Sequence, residues 1–225
     1  MTFSVAARCA ETGLFGVAIS SSSPAVAARC AHARGGVGAV ASQNITDPSL
    51  GPTGLDLMED GLGAAEALER IVATAPFIAY RQLALIDANG KTAGYSGAQT
   101  LGLHAIAEGE GVIAAGNLLA ATDVPRAMVE AFGGAAGSFG SRLLASLAAG
   151  LEAGGEAGPV HSAGLYVVRK GVSWPIADLR IDWAGDAPIA RLIDLWQLYE
   201  PMLEDYVTRA RDPSRAPSYG VPGDE

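Results

Sequence analysis

Histidine and cysteine are scarce, with three and two in 225 residues. His32, His104 and His161 lie far apart and lack the short spacings of a metal site, so neither a metal nor a cofactor is expected. Cys9 and Cys30 make no CxxC pair and no disulfide framework, and each reads as a small buried hydrophobe. Charge is thin at 17% of residues, and the net −9 comes with no cluster of Lys or Arg. A phosphate backbone therefore has nothing to bind, and no nucleic-acid partner is expected. No apolar run approaches the ~18 residues of a membrane span. No charged segment followed by an apolar one opens the sequence, so the expectation is no membrane partner and a cytoplasmic location. Aromatic residues are few at 6%, whereas hydrophobic residues make up 49% and glycines number 29. That mixture describes one close-packed domain rich in small side chains, long enough to fold without staples.

The most telling residue comes second. Thr2 follows the initiator methionine, which is normally removed when the next residue is small. Thr2 would then carry an α-amine and a β-hydroxyl on one residue, so nucleophile and general base would coincide, since an α-amine has a pKa of about 7.7–8.0. The alternation of Phe3, Val5 and Ala7 with Ser4, Ala6 and Arg8 predicts a strand that would fix the hydroxyl in place. A turn at residues 11–13 and the apolar run 14–19 complete a hairpin.

Further along, the serines at 20–23 end the second strand; four consecutive hydroxyls could bind an oxyanion or a substrate polar group, but such runs more often satisfy loop backbone. Gly36-x-Gly38-x-x-Ala41 imitates a dinucleotide fingerprint, but residues 37–43 form a strand, and no strand is expected before them, so nicotinamide or flavin binding is not expected. The segment 42–54 is the densest in polar and turn-forming residues. Asn44, Thr46 and Asp47 are its candidates for substrate contact, although Asn44 and Asp47 also suit turn or cap duties. Helices are expected at 55–60 and 64–74, a hairpin at 81–96, a strand at 108–119, helices at 123–132 and 138–152, two strands from 160 to 182, and a final helix at 187–199. Asn117 ends a strand beside Gly116, where its amide could face a developing oxyanion or simply close a turn. His161 and Ser162 form the polar start of another strand. Residues 1–211 thus read as one α+β domain of antiparallel sheets with helices outside, and residues 212–225 as a loose tail.

Taken together, several segments resemble an uncharacterised bacterial family, domain-of-unknown-function family ten-twenty-eight, which is grouped with the Ntn (N-terminal nucleophile) hydrolases. They are Thr2-Phe3-Ser4 with Arg8, Glu11-Thr12-Gly13, Gly16-Val17-Ala18, the glycine-alanine run 36–41, and Gln43 with Pro48. Gly51-Pro52-x-Gly54-Leu55, Gly116-Asn117-Leu118-Leu119, Ser162-Ala163 and Asp178-Leu179-Arg180-Ile181-Asp182 complete the set. The resemblance implies a four-layer αββα sandwich with Thr2 as nucleophile of an amidohydrolase acting on a small-molecule or peptide amide. In that scheme Asn117 or Asn44 would hold the oxyanion, Ser162 or Ser4 would polarise the amine, and Thr46, Asp47 and His161 would line the substrate site. A homo-oligomer is the expected assembly. The chain departs from the pattern at Leu50, where an aromatic is usual, and at His161, where glutamine is usual. Non-catalytic relatives share the superfamily fold, so the alternative is a binding or scaffold protein.

Overall fold

The alternation that begins at Thr2 becomes the central strand of a large sheet. A computed structural model describes residues 1–224. In chain order it contains β1 (Thr2–Arg8), β2 (Phe15–Ser21), α1 (Val26–Cys30), β3 (Ala31–Arg34), β4 (Gly38–Asn44), α2 (Leu50–Glu59), α3 (Ala64–Thr74), β5 (Arg81–Asp87) and β6 (Thr92–Ser96). There follow β7 (Ala105–Gly109), β8 (Val112–Asn117), α4 (Val124–Gly134), α5 (Phe139–Glu152), β9 (Ser162–Val168), β10 (Ala177–Ile181), α6 (Pro188–Tyr199) and α7 (Leu203–Arg211). One sheet runs β10-β9-β2-β1-β8-β7 and the other β3-β4-β5-β6, and every pairing is antiparallel.

Side-chain parity sorts these strands into layers. Phe3, Val5 and Ala7 of β1 pack outward with Leu143, Leu144 and Leu147 of α5, Met128 of α4 and Leu192 of α6. Ala6, Val17, Ile19, Ala39, Ala41, Ala84, Ile86, Ile113 and Ala115 meet between the sheets. Val40, Leu83 and Leu85 face the other way, onto Leu55, Met58, Leu68 and Ile71 of α2 and α3. The result is the four-layer αββα sandwich. Strands β1 and β2 are buried on both faces, and the alanines of the middle layer let the two sheets approach closely. Each fully buried Leu, Ile or Phe contributes about 1.5–3 kcal/mol, so the three layers of contact carry the fold. Among the described residues no helix is long and apolar enough to cross a membrane.

Three local expectations need correction. A strand, β3, does precede the glycine pair at 35–36; its four residues carry His32 and Arg34, so their polarity hid it. The dinucleotide context still fails, because β4 rather than a helix follows. The strand expected at 108–119 is two strands, β7 and β8, folded at Gly111, whose φ is +68°. Helix α2 starts at Leu50, not Leu55, because Pro52 falls in its first turn, where a missing N–H costs nothing. Gly51 is required there, since a Cβ would stand 2.1 Å from the His32 ring. Beyond α7, Arg209 lies over the Tyr219 ring at 3.8 Å and donates to Pro217 O at 2.9 Å, so the segment after Arg211 folds back along α7. The end of the expected tail, Glu225, lies outside the described residues.

Candidate functional site

At one end of the sandwich the inward-facing positions switch from apolar to polar. Parity turns Thr2, Ser21, Asn117 and Ser162 toward the middle layer, and each ends or begins a strand. Thr2 stands opposite Asn117 in the β1–β8 register and Ser21 opposite Ser162 in the β2–β9 register. Phe3 pairs with Ser20, which sets Thr2 beside Ser21. Four polar side chains thus form a row across the large sheet, in the order Ser162, Ser21, Thr2, Asn117. The small sheet answers with a second row, Gln43, Gln82 and Ser96, on β4, β5 and β6.

Hydrogen bonds join the rows. Ser4 Oγ donates to Gln43 Oε1 at 2.7 Å, and Gln43 Nε2 donates to Gln82 Oε1 at 2.8 Å. Gln82 Nε2 donates to Ser96 Oγ and to Gly116 O, at 3.0 and 2.9 Å. Asn117 Nδ2 donates to Gln82 Oε1 at 3.1 Å, leaving Asn117 Oδ1 buried with no partner. As placed, then, the free atom of Asn117 is an acceptor. To serve as an oxyanion donor its amide would have to flip and forfeit the bond to Gln82. A buried carbonyl without a partner costs about 1–3 kcal/mol, and it marks a place where a ligand N–H would be welcome.

Around Thr2 the hydroxyls run in a chain. Thr2 Oγ1 donates to Met1 O and lies 3.4 Å from Ser21 Oγ, which also donates to Met1 O. Ser21 Oγ is 2.9 Å from Ser23 Oγ, and Ser23 Oγ accepts from Arg29 Nη2 at 3.1 Å. Ser162 Oγ donates to Ser23 O at 2.6 Å and so holds the turn that carries these serines. The carbonyl of the Met1–Thr2 peptide therefore already sits between two hydroxyl donors.

A carboxylate completes the centre. Residues 118–120 after β8 pair with the loop 155–157 through Leu119 and Glu156, which brings Glu156 to the same end of the sheet. Glu156 is 5% exposed and accepts from the Ser22 N–H on both oxygens, at 3.0 and 3.2 Å. Burial pushes its carboxyl up to about 7, against the pull of the chain's terminal amine, the Ser22 bonds and His161. His161 is fixed from both sides: its N–H donates to Ser21 O at 2.8 Å and its carbonyl accepts from Ala184 N at 2.7 Å. Its ring stacks on Trp183 with centroids 4.6 Å apart.

Of the residues singled out in the sequence, Thr2, Ser4, Asn117, Ser162 and His161 share this end. Asn44, Thr46 and Asp47 are already hydrogen-bonded within the protein, the first two to other segments and Asp47 within its own loop. Asn44, at φ +77°, donates to Tyr80 O and accepts from Leu101 N at 3.2 Å. Thr46 Oγ1 lies 3.4 Å from Cys30 Sγ. Asp47 accepts from the Ser49 N–H and hydroxyl, at 3.0 and 2.6 Å, and these bonds hold its carboxyl below the usual range. Sequence reasoning misses Gln82 and Glu156, and it favours a loop role for Ser21. Gln43 and Gln82 carry a readable signal, because they continue the inward parity of Ala39-Ala41 and Ala84-Ile86 with a polar residue. Glu156 carries another, as the single charge among the glycines of 154–158. Volume does not find the centre: a cavity of about 760 Å³ opens at the opposite end of β1, where Arg8, Lys91 and Arg142 are interspersed with Glu11, Glu108 and Glu110.

A family model described as a family of unknown function (DUF1028) matches residues 2–192. Protein SPO2555 from Silicibacter pomeroyi, a solved structure of that family, is 32% identical over 88% of this chain and 88% of its own, with a TM-score of 0.80. Anbu (ancestral beta-subunit) from Yersinia bercovieri aligns over 92% of this chain and 97% of its own, at 11% identity and a TM-score of 0.39. The Anbu (Gly-1) mutant from Hyphomicrobium sp. strain MC1 aligns over 92% and 99%, at 12% identity and 0.38. At those scores neither Anbu likeness carries functional information. No curated protein matches.

Proposed function

Since the chain belongs to the family DUF1028, which is described as being of unknown function, we propose from the chemistry of the site that the Thr2 centre is an N-terminal-nucleophile site that hydrolyses a small-molecule or peptide amide once Met1 is removed. The observation that carries this reading is the Met1 carbonyl, held between the hydroxyls of Thr2 and Ser21 at the end of a rigid strand. A substrate carbonyl occupying that place would meet the nucleophile and a hydrogen-bond donor together.

In the processed chain the Thr2 α-amine takes the proton of Oγ1 as Oγ1 attacks the carbonyl carbon. Ser21 Oγ–H donates to the oxygen that gains charge. The amine then hands the proton to the departing nitrogen as the C–N bond breaks, leaving an ester on Thr2. Water, deprotonated by the same amine, attacks the ester carbonyl, and the amine returns that proton to Oγ1 as the ester bond breaks and the acid leaves. Asn117 Oδ1 takes the substrate N–H, Ser162 positions the Ser21–Ser23 turn, Ser4 braces Gln43, and the Glu156 carboxyl holds the Ser22 N–H of the same turn. Asn44, Thr46 and Asp47 shape the neighbouring loop. Ile45, Tyr80 and Leu101, all exposed around Asn44, supply apolar surface for self-association in a homo-oligomer, which light scattering would detect. A cytoplasmic location, which fits the two unpaired cysteines, completes the proposal, and cell fractionation would check it.

A second reading, non-catalytic binding of a small molecule or a scaffold role, has its own observation. With Met1 attached, Thr2 has no free amine and its hydroxyl is donated to the preceding carbonyl. For a chain that retains Met1 this reading is the better supported, since it needs no processing. Intact mass establishes which form is present. Both forms are then assayed against small N-acyl, lactam and peptide amides. Turnover by the form beginning at Thr2 and none by the form retaining Met1 supports hydrolysis. Equal turnover by both excludes the mechanism, and binding without turnover in either form leaves the second reading.

A further inference from the structure

The chain of hydroxyls beside Thr2 has a direction, and counting protons fixes it. A guanidinium carries donors only, so at the Arg29 Nη2–Ser23 Oγ contact of 3.1 Å the serine accepts. A carbonyl carries acceptors only, so at the other end Ser21 spends its one hydroxyl proton on Met1 O. The link between the two serines, 2.9 Å long, then has a single solution, in which Ser23 donates and Ser21 accepts. Ser21 Oγ also accepts from the Ser23 N–H at 3.0 Å, and these two bonds fill its lone pairs. The Thr2 hydroxyl, 3.4 Å away, accordingly gives its own proton to Met1 O. Protons therefore point one way, from Arg29 through Ser23 and Ser21 to the carbonyl.

Without a donor-only group at its head the chain loses that constraint. Ser21 would be free to turn its proton to Ser23, and the carbonyl would keep only the Thr2 hydroxyl. Arg29 suits the task because a guanidinium stays protonated at any working pH. It takes part in none of the ion pairs among the described residues. A second bond from the same Nη2, to Pro24 O at 2.8 Å, holds it on the turn, and its helix α1 is anchored by the buried Val26, Ala27 and Cys30. We propose that Arg29 is a positioning residue of the Thr2 centre, which acts through Ser23 to keep the Ser21 proton on the reactive carbonyl. The inference rests on the hydrolytic reading of that centre, in which Ser21 meets the oxygen that gains charge.

The test reads the carbonyl itself. Met1-Thr2 is the one Met-Thr pair in the sequence. Full-length protein made with methionine aminopeptidase inhibited, and labelled with carbonyl-13C methionine and 15N threonine, thus gives a single HNCO signal whose carbon is the Met1 carbonyl. That carbon moves upfield when its oxygen loses a hydrogen bond, and Ser21→Ala sets the size of the shift. Arg29→Met, which keeps the length of the side chain and removes its donors, should give about half of it, because the two proton directions then compete on similar terms. Adding Ser23→Ala to Arg29→Met should return the signal to its wild-type place, since Ser21 then has no serine to turn to. If Arg29→Met leaves the signal where it was while Ser21→Ala moves it, or if the double variant stays as far upfield as Arg29→Met, Arg29 does not set the direction of the chain and the proposal is wrong, with the Thr2 centre intact. If Ser21→Ala itself moves nothing, the Met1 carbonyl is not held by Ser21, and the hydrolytic reading loses its support together with the role of Arg29.

Discussion

Replacing Glu156 by glutamine should change how stability depends on pH more than it changes stability itself. The carboxyl is raised from an ordinary 4.5 to about 7, chiefly by burial. Between those two values the unfolded chain has released its proton and the folded protein still holds it. The folded state then binds more protons, so this group's contribution to stability falls as pH rises through the window and levels off above pH 7. The slope approaches ~1.4 kcal/mol per pH unit, and the whole effect is about 3 kcal/mol, or roughly 6–12 °C in Tm for a chain of this length. Glutamine stays neutral and keeps an oxygen for the Ser22 N–H. At about pH 4, below both values, variant and wild type should be nearly equal, and by about pH 8 the variant should be the more stable by up to ~3 kcal/mol. Guanidinium melts at four pH values between these limits measure the difference directly. Asp47 and Glu204 do not confuse the result: the Ser49 bonds and the Arg169 pairing hold their carboxyls low, so their contributions are lost mainly in more acidic solution. A wild-type-minus-variant difference that stays flat across the range would refute the claim that Glu156 is buried as a neutral acid.

Three other outcomes can be checked. Thr2→Ala should abolish any turnover while costing about 1 kcal/mol or less, and Thr2→Ser should keep some activity; an active alanine variant would move the nucleophile elsewhere. Gln82→Leu strips partners from Gln43 Nε2, Asn117 Nδ2 and Gly116 O in a fully buried site, so urea unfolding should show a loss of about 3 kcal/mol or more; a near-neutral result would mean that the two polar rows are not coupled. Truncation after Arg211 removes the exposed Arg209–Tyr219 stack, worth about 0.5–1 kcal/mol, so a calorimetric Tm drop beyond roughly 4 °C would assign the tail a larger role.

Much of this molecule is legible from residue pattern because most strands are strongly apolar and the helices carry clear stripes. Thr2, Asn117 and Ser162 could be picked out because each is a polar residue where a small-residue strand begins or ends. What the pattern could not supply was strand order. Nothing local says that residue 117 lies opposite residue 2, or that residue 162 lies opposite residue 21. For the same reason the pattern does not rank Asn44 and Asp47 against Asn117, since a loop rich in hydrogen-bonding groups reads alike whether those groups face a ligand or the protein's own backbone. Gln82 was overlooked because a glutamine early in a hairpin strand is normally a solvent-facing residue, and only the second sheet makes that face an interior.

The placement of β1 has a consequence for timing. Its partners are β2, formed almost at once, and β8, which contributes Asn117 opposite Thr2. Until that later strand emerges the start of the chain lacks half of its hydrogen bonds and remains accessible. Once it docks, Thr2 is 5% exposed. At about 5–20 residues per second, synthesis reaches residue 117 roughly 6–23 s after the first peptide bond. A peptidase that trimmed Met1 would reach the Met1–Thr2 bond most freely before the sheet closes, although Met1 itself stays 37% exposed afterwards. If Met1 is a substrate for such a peptidase, slower closure at low expression temperature should raise the share of chains that begin at Thr2, which intact mass would show.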